Sequence, residues 1–291
     1  VMMGLSLFEF GPDPDPNEAP APDAPPAEDV GIRDVTYANV ADNLRRGSDM
    51  AVTVVKGALD LAKGTLTSPR STWGRAFTTA TSIGRMTAVP DGPMSPIMVG
   101  RGTTYRFAAF ALPFSGIRAA AKAEDFSVND AFMAAIAVGM DSYHRRHGVV
   151  VEELRVNVPI SLRGDAGDRS GQASNAVSIA RFPISIAGLT VSEHMQQVND
   201  LVQKWRREPA IGMADSLAEV SWFVPVPMLA QAAQSSDVTT SNVPGPPIPL
   251  FLAGARVTSV YPLVATIGAA VNITMVTYDG AAYIGISADD R

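Results

Sequence analysis

The 291-residue chain contains no cysteine and only three histidines. The first absence excludes disulfides, thiolate metal sites and cysteine nucleophiles, and the second argues against a histidine-rich metal centre. No apolar run approaches the roughly 20 residues of a membrane-spanning helix. Residues 1–8 also lack the basic region and cleavage site of a signal peptide. We therefore expect a cytoplasmic protein with no metal.

The formal net charge is -6, and the acidic excess lies in one segment. Residues 11–30 contain six carboxylates, no Lys or Arg, and seven of the 22 prolines. Outside this segment acidic and basic residues are equal in number. Because nucleic-acid binders usually carry a basic face, we expect no nucleic-acid partner.

The Pro-rich segment divides the chain. Residues 11–30 have almost no apolar side chains to bury and cannot pair their backbone in a sheet, so they are predicted to be a linker. Residues 1–10 are predicted to be the end of a helix from an N-terminal domain that the chain lacks. Residues 31–102 are predicted to be a helical and then, from residue 64, irregular connection. Residues 103–291 are predicted to be a C-terminal domain.

Strand-like and helical patterns alternate after residue 102. Strands are predicted at 105–110, 154–162, 176–184, 251–261, 270–278 and 281–287, and helices at 115–123, 127–147, 190–207 and within 214–234. Asp279-Gly280, between the last two strands, is a strong hairpin signal. Such alternation followed by a hairpin predicts a mixed α/β domain.

The three histidines fall at the ends of predicted helices. His144 and His147 lie in the last turn of helix 127–147, where a cation interacts favourably with the helix dipole. His194 follows Glu193 in the first turn of the next helix and is predicted to be a solvated surface residue. None of the three has the setting of a catalytic base.

Three short polar motifs remain as candidates. Ser127-Val-Asn-Asp130 fits a variant of the capping box, which explains Ser127 and Asp130 but not Asn129. Pro159-Ile-Ser-Leu-Arg163 ends a strand with a hydroxyl and a guanidinium, consistent with either a salt-bridged turn or a contact to phosphate or carboxylate.

The third motif, Ser241-Asn-Val-Pro-Gly-Pro246, is predicted to be a loop with two hydrogen-bonding side chains. The nucleotide-binding glycine patterns and the Gly-x-Ser-x-Gly nucleophile elbow are absent. The residues by themselves thus indicate an α/β protein without a self-contained active site.

Taken together and in order, the motifs resemble a known family. They are Phe126-Ser-Val-Asn-Asp-Ala-Phe-Met, Val158-Pro-Ile-Ser-Leu-Arg, Asn175-Ala-Val-Ser, Thr240-Ser-Asn-Val-Pro-Gly-Pro, Leu252-Ala-Gly-Ala, Tyr261-Pro-Leu, Asn272-Ile-Thr and Tyr278-Asp-Gly. Over about residues 100–290 the chain resembles the C-terminal half of the bacterial wax ester synthase/acyl-CoA:diacylglycerol acyltransferase family. The His-His-x-x-x-Asp-Gly motif of that family does not occur in this chain.

The resemblance implies the C-terminal domain of a two-domain fold of the chloramphenicol-acetyltransferase type, with the active site in a channel between the domains. The second histidine of the missing motif is expected upstream of Val1, as the base that deprotonates an alcohol. No catalytic residue is then expected in this chain. The channel residues carried over from the family motifs are Asn129, Asp130, Ser161, Arg163, Ser241, Asn242, Pro244 and Gly245.

The implied activity is acyl-CoA-dependent O-acyl transfer that makes triacylglycerol from diacylglycerol, wax esters from long-chain alcohols, or both. Acyl-CoA would be a co-substrate, with no cofactor. The implied partners are acyl-CoA, a lipid alcohol and the N-terminal portion of the same protein, with peripheral contact to the inner membrane surface or to a lipid body also open. Two alternatives remain: a non-catalytic lipid or acyl-CoA binding module, and a condensation-type acyltransferase of the same fold.

Overall fold

The computed structural model describes residues 92–161, 177–207 and 226–290 continuously. It also describes Phe8, 10–12, Tyr37, Arg45, Lys63, 65–68, Gly74, 77–78, Thr81 and Pro90. The chain divides into two compact units, one formed by 1–14, 89–207 and 225–291 and the other by 15–88 and 208–224. The predicted linker after Pro12, most of the predicted first helix, and residues 214–224 lie outside the described residues.

The first unit alternates strands with helices. In chain order it contains β1 (Tyr105–Pro113), α1 (Phe114–Ala123), α2 (Val128–Arg146), β2 (Glu153–Ser161), β3 (Val177–Ser185), α3 (Val191–Arg206), α4 (Val226–Gln234), β4 (Val238–Val243), β5 (Phe251–Leu252), β6 (Ala255–Arg256), β7 (Val271–Tyr278) and β8 (Ala281–Asp289). The predicted mixed α/β architecture is confirmed.

Six strands form one sheet in the order β1-β8-β7-β4-β2-β3. The three central strands β7, β4 and β2 are parallel, and the outer pairings are antiparallel. We call the edge at which these parallel strands end the carboxyl edge, and the edge at which they begin the amino edge. The β7–β8 turn is the predicted hairpin, with Asp279 and Gly280 both at positive φ.

Helices cover one face of the sheet, the helix face. Alternate residues of the strands point into it and are buried, including Leu154, Val156 and Met275. α2 lies against these strands through Phe132, Met133, Ile136 and Met140, which recur at helical spacing. Burying such side chains contributes about 1.5 to 3 kcal/mol each.

The opposite face, the loop face, is crossed by the segment 257–268. Asn272 donates through Nδ2 to the carbonyl oxygen of Ala265 at 3.0 Å, and the Tyr283 hydroxyl donates to Thr258 O at 3.1 Å. A Cβ at Gly285 would overlap the carbonyl oxygen of Pro262. The absence of a side chain at Gly285 therefore lets the segment lie directly on the sheet.

Two sequence predictions in this unit are wrong. Residues 238–243 form the central strand β4, although Ser241 and Asn242 were expected in a loop. The predicted strand 251–261 is reduced to the two-residue strands β5 and β6. In the first case the strand is recruited by its parallel neighbours on both sides, because pairing and burial override its low apolar content.

The prediction of an irregular segment from residue 64 is confirmed for residues 92–102, which form neither helix nor strand, and is wrong for residues 65–67, 74, 77–78 and 81, which are helical. The Thr78 and Thr81 hydroxyls donate to Gly74 O and Phe77 O, four residues earlier, at 2.9 and 3.0 Å. These back-bonds accommodate threonine inside a helix, and the Gly, Ser and Thr content misled the prediction.

Candidate functional site

The motif residues that the structure describes meet at the carboxyl edge. Ser161 is the last residue of β2, and Asn242 precedes the last residue of β4. Pro244 and Gly245 follow β4 directly. In sheets with parallel strands, ligands bind outside the carboxyl ends of the strands. The arrangement therefore makes this edge the candidate site.

The loop after β4 is held against β7 by a close backbone approach. The Gly245 N–H donates to the Thr277 hydroxyl at 3.0 Å. A Cβ at position 245 would overlap the Thr277 carbonyl oxygen. Only glycine permits this contact, so the position of the loop depends on it.

Asn129 lies at the same edge because α2 runs antiparallel to β4. The Thr240 hydroxyl donates to the sulfur of Met133 at 3.2 Å, which fixes the second turn of α2 against the middle of β4. Asn129 lies one turn before Met133 on the same side of the helix. Asn242 lies two residues after Thr240 on the same side of the strand. Asn129 and Asn242 are thus at one level on the helix face.

Asp130 is a capping residue. Ser127 Oγ accepts from Asp130 N at 3.2 Å, and Asp130 Oδ2 accepts from Ser127 N at 2.9 Å, so the predicted capping box is confirmed. The buried carboxylate also accepts from Asn199 Nδ2 of α3 at 3.2 Å. The Oδ2 atom of Asp130 is therefore used for structure.

The side chains of Asn129, Ser241 and Asn242 differ from Asp130, since each is half-buried and makes no hydrogen bond to a group in the described part of the chain. Ser241 is opposite Thr274 of β7 on the loop face. The Ser161 side chain and all of Arg163 lie outside the described residues. Among the described side chains, those of Ser241, Asn129 and Asn242 thus give the edge one hydroxyl and two amides with free donors.

The histidines lie at the amino edge instead. His194 is beside Ser185, which pairs with Glu153 where β2 begins. His144 is 15 positions from Asn129 on α2, or about 22 Å along the helix. The six residues of β4 put about 17 Å between the two edges. No described histidine is therefore placed to act at the carboxyl edge.

Two of these histidines are buried. The prediction of a solvated His194 is wrong, because the residue is only 1% exposed. Its Nδ1 atom is buried and has no hydrogen-bond partner among the described residues. Burial lowers the pKa of His194. His144 bonds through Nδ1 to Met140 O at 2.7 Å and through Nε2 to Ser95 Oγ at 2.8 Å. His144 therefore connects Ser95 to α2. Its position at the end of a predicted helix did not indicate this contact.

A buried charge network at the amino edge was also missed. The Asp237 carboxylate accepts three backbone N–H groups, from Met94, Ser95 and Arg155, at 2.8 to 3.2 Å. The Arg101 guanidinium donates to five backbone carbonyl oxygens, those of Met98, Gly100, Gln234, Ser236 and Gly268. Burial lowers the pKa of Arg101, while the nearby carboxylates of Asp289 and Asp237 oppose this. No local sequence signal marks these long-range contacts.

An apolar cavity of about 410 Å³ opens on the helix face between α2 and the strands β1, β7 and β8. Its lining includes Phe110, Phe132, Met140, Ile273 and Ile284, and its one charged residue is Asp289. Ligand pockets have volumes of about 300 to 1,000 Å³. The space is therefore sufficient for part of an apolar ligand.

Two further properties concern the described residues alone. Among them no three His, Asp or Glu side chains cluster closely enough to hold a metal ion. None of the described helices combines the length and apolarity needed to cross a bilayer.

Comparison with known proteins shows which family the chain resembles. Residues 173–291 match the family model described as the WS/DGAT C-terminal domain. A Mycobacterium tuberculosis protein with the name of a diacylglycerol O-acyltransferase is 28% identical over 291 positions, covering 96% of this chain and 56% of that protein. The O-acyltransferase WSD of Acinetobacter baylyi is 26% identical over 207 positions, covering 68% of this chain and 44% of that protein.

Solved structures share the fold. The wax ester synthase/diacylglycerol acyltransferase from Marinobacter aquaeolei VT8 covers 99% of this chain and 58% of its own length, with a TM-score of 0.54 and 19% identity. The cyclization-docking bidomain of the EpoB peptide synthetase from Sorangium cellulosum covers 80% of this chain and 46% of its own, with a TM-score of 0.50 and 13% identity. The predicted fold class, that of CoA-dependent acyltransferases, is confirmed.

The chain spans about half the length of the curated relatives that it matches. Its resemblance to wax ester synthases and diacylglycerol acyltransferases, inferred above from the order of the motifs, is confirmed by the family model and by these relatives. The range that matches the family model, residues 173–291, includes β3, α3 and every later element.

Proposed function

We propose that this chain forms one wall of the substrate channel of an acyl-CoA-dependent O-acyltransferase. The products would be triacylglycerol from diacylglycerol, wax esters from long-chain alcohols, or both. The observation that carries the proposal is the Ser241–Gly245 motif. The motif lies within residues 173–291, which match the family model, and it is at the same edge of the sheet as Asn129. Relatives with the names of diacylglycerol O-acyltransferases support it.

The proposed reaction requires a base, and no histidine among the described residues lies at this edge. A histidine of a His-His-x-x-x-Asp-Gly motif, carried by a portion of the protein outside this chain, would take the proton of the acceptor hydroxyl. The alkoxide would attack the thioester carbonyl, and the CoA sulfur would leave with the proton. General-base catalysis of this kind is worth roughly 10²- to 10⁴-fold.

The residues at the carboxyl edge would bind and orient the substrates. The free amide donors of Asn129 and Asn242 can stabilise the oxyanion that develops on the thioester carbonyl, which is a large part of catalysis in acyl transfer. The Gly245 contact with Thr277 would hold the loop in place. The apolar cavity beside α2 would take part of an acyl chain.

The test is acyl transfer from palmitoyl-CoA to diacylglycerol and to hexadecanol. We expect ester formation by the complete protein that contains the His-His-x-x-x-Asp-Gly motif, and its loss when the second histidine is replaced by alanine. We also expect no turnover by the 291-residue chain alone. A complete protein that binds palmitoyl-CoA without turnover would contradict the proposal, as would one that uses only a carrier-protein thioester.

A further inference from the structure

A row of polar side chains crosses the loop face of the sheet, away from the carboxyl edge. The strand register places Arg181 of β3 beside Asn157 of β2, Asn157 beside Thr239 of β4, and Thr239 beside Asn272 of β7. Asn157, Thr239 and Asn272 are buried, whereas Arg181 is half-buried at the outer end. The row therefore ends in a cation at the edge strand.

Among the described residues, the Arg181 guanidinium is hydrogen-bonded only through its Nε atom. Its Nε donates to Asn157 Oδ1 at 3.3 Å, and the same oxygen accepts from Ser236 Oγ at 2.9 Å. Asn157 Nδ2 donates to Thr239 Oγ1 at 3.3 Å, which fixes the amide in that orientation. The terminal nitrogen atoms of Arg181 have no partner in the described part of the chain.

A second guanidinium lies next to it. Arg155 pairs with Pro183, two residues from Arg181, so the two arginines are diagonal neighbours on one face and within reach of each other. Arg155 Nη1 donates to the backbone carbonyls of Gly92 and Ser235. Burial and then the Arg155 charge lower the pKa of Arg181.

Neither cation has a carboxylate partner among the described residues. Asp237 bonds to the Arg155 backbone rather than to its guanidinium, and its carboxylate accepts three backbone N–H groups in all. A half-buried charge without a counterion is costly, and two like charges side by side add to that cost. Such a pair is stabilised when an anion binds both.

We propose that Arg181 and Arg155 bind a phosphate group on the loop face. Guanidinium groups match phosphate through paired N–H donors. A phosphate that carries up to two charges balances two cations, whereas a carboxylate balances one. The Asn157 contact orients Arg181 in advance, and a pre-organised donor loses less freedom on binding.

Two sources offer this phosphate: CoA and the headgroup of an anionic phospholipid. The CoA source rests on the proposed function, because CoA would then be present as the thioester carrier. Binding of the phosphate group itself does not rest on it. The test for phosphate is therefore a binding measurement that needs no turnover.

Arg181→Gln is the test variant in the full protein, with Arg145→Gln as its control because Arg145 is exposed and pairs with Asp141 on α2. Inorganic phosphate should raise the melting temperature of the wild type and the control above that in chloride at equal ionic strength. It should leave Arg181→Gln unchanged. Without phosphate, Arg181→Gln should melt no lower than the wild type, because it removes an unbalanced charge.

Titration with CoA, and co-sedimentation with phosphatidylglycerol vesicles, identify the source. Whichever ligand binds at this site should bind Arg181→Gln at least about tenfold more weakly, the loss expected for a charge-assisted hydrogen bond. Arg181→Lys, which keeps the charge but not the paired donors, should bind with intermediate affinity. The proposal is overturned if phosphate stabilises no more than chloride, or if Arg181→Gln melts lower and keeps the full phosphate response.

Discussion

At the amino edge of the sheet the side chains of Asp237 and Arg101 bond to backbone groups of distant segments. At the carboxyl edge the side chains of Asn129, Ser241 and Asn242 make no hydrogen bond to the described part of the chain. The first edge includes the start of β4 and the second the end of the same strand. Polar residues only a few positions apart in sequence, such as Asp237 and Ser241, therefore lie at opposite edges of the sheet. Buried polar groups must be satisfied to be tolerated, so the unsatisfied, half-exposed ones are those available to a ligand.

The comparison also separates neighbouring residues. Asp130 and Asn129 are adjacent in the first turn of α2, but their side chains differ in role. The Asp130 carboxylate completes the capping box, whereas the Asn129 amide makes no hydrogen bond to a described residue. The two edges thus predict different responses to mutation. At the amino edge we expect lost stability, and at the carboxyl edge lost activity.

The largest effect is expected at Asp237. Asp237→Ala should lower the free energy of unfolding by at least about 3 kcal/mol, because three backbone N–H groups lose their acceptor and the nearby Arg101 loses an opposite charge. Urea denaturation measures the change. The control Asp141→Ala, which removes a partly exposed ion pair on α2, should cost less than about 1 kcal/mol. Equal losses in the two variants would refute the assignment of Asp237 as a structural centre.

Gly245→Ala should have the next largest effect. The added methyl group must push the loop away from the Thr277 carbonyl, at a cost of about 1 to 3 kcal/mol. Acyl transfer per folded molecule should also fall. Gly116→Ala in α1 is the control, since its Cβ would meet no atom within 4 Å and alanine favours a helix. A Gly245→Ala protein with unchanged melting and rate would show that the close approach is unimportant.

Asp130→Ala should cost about 0.5 to 2 kcal/mol, the range for a lost helix cap. Activity should fall only as the folded fraction falls. Paired melting curves and initial rates, corrected for folded protein, provide the measurement. A rate that drops while the protein remains folded would move Asp130 from the helix cap to the channel.

Asn129→Ala should have the smallest effect on stability, within about 1 kcal/mol, because its side chain bonds to no described group. Its effect on acyl transfer by the complete protein should exceed that of Asp130→Ala. Paired melting curves and initial rates, corrected for folded protein, test this prediction. Full activity in Asn129→Ala would make it an ordinary first-turn residue.

Local signals predicted much of this fold. The Ser127–Asp130 capping box and the Asp279-Gly280 turn each require only residues within four positions of each other. They were therefore visible in the sequence. So was the order of the family motifs.

What failed depends on distant partners. β4 is a strand because β2 and β7 pair with it, not because its residues are apolar. His194 is buried by the packing of α3, although its position in the first turn resembles a surface site. Arg181 lies in an apolar stretch of β3, and its importance appears only when the register places it beside Asn157 and Arg155.

The segment that crosses the loop face imposes a restriction on sequence variation. Gly285 contacts the Pro262 carbonyl so closely that even a methyl group has no room. A change at 285 would lift the segment from the sheet and expose Asn272, whose amide bonds to Ala265. Related sequences should therefore substitute residue 285 only together with residues of the 262–266 stretch, so that two regions about 20 positions apart vary as one unit.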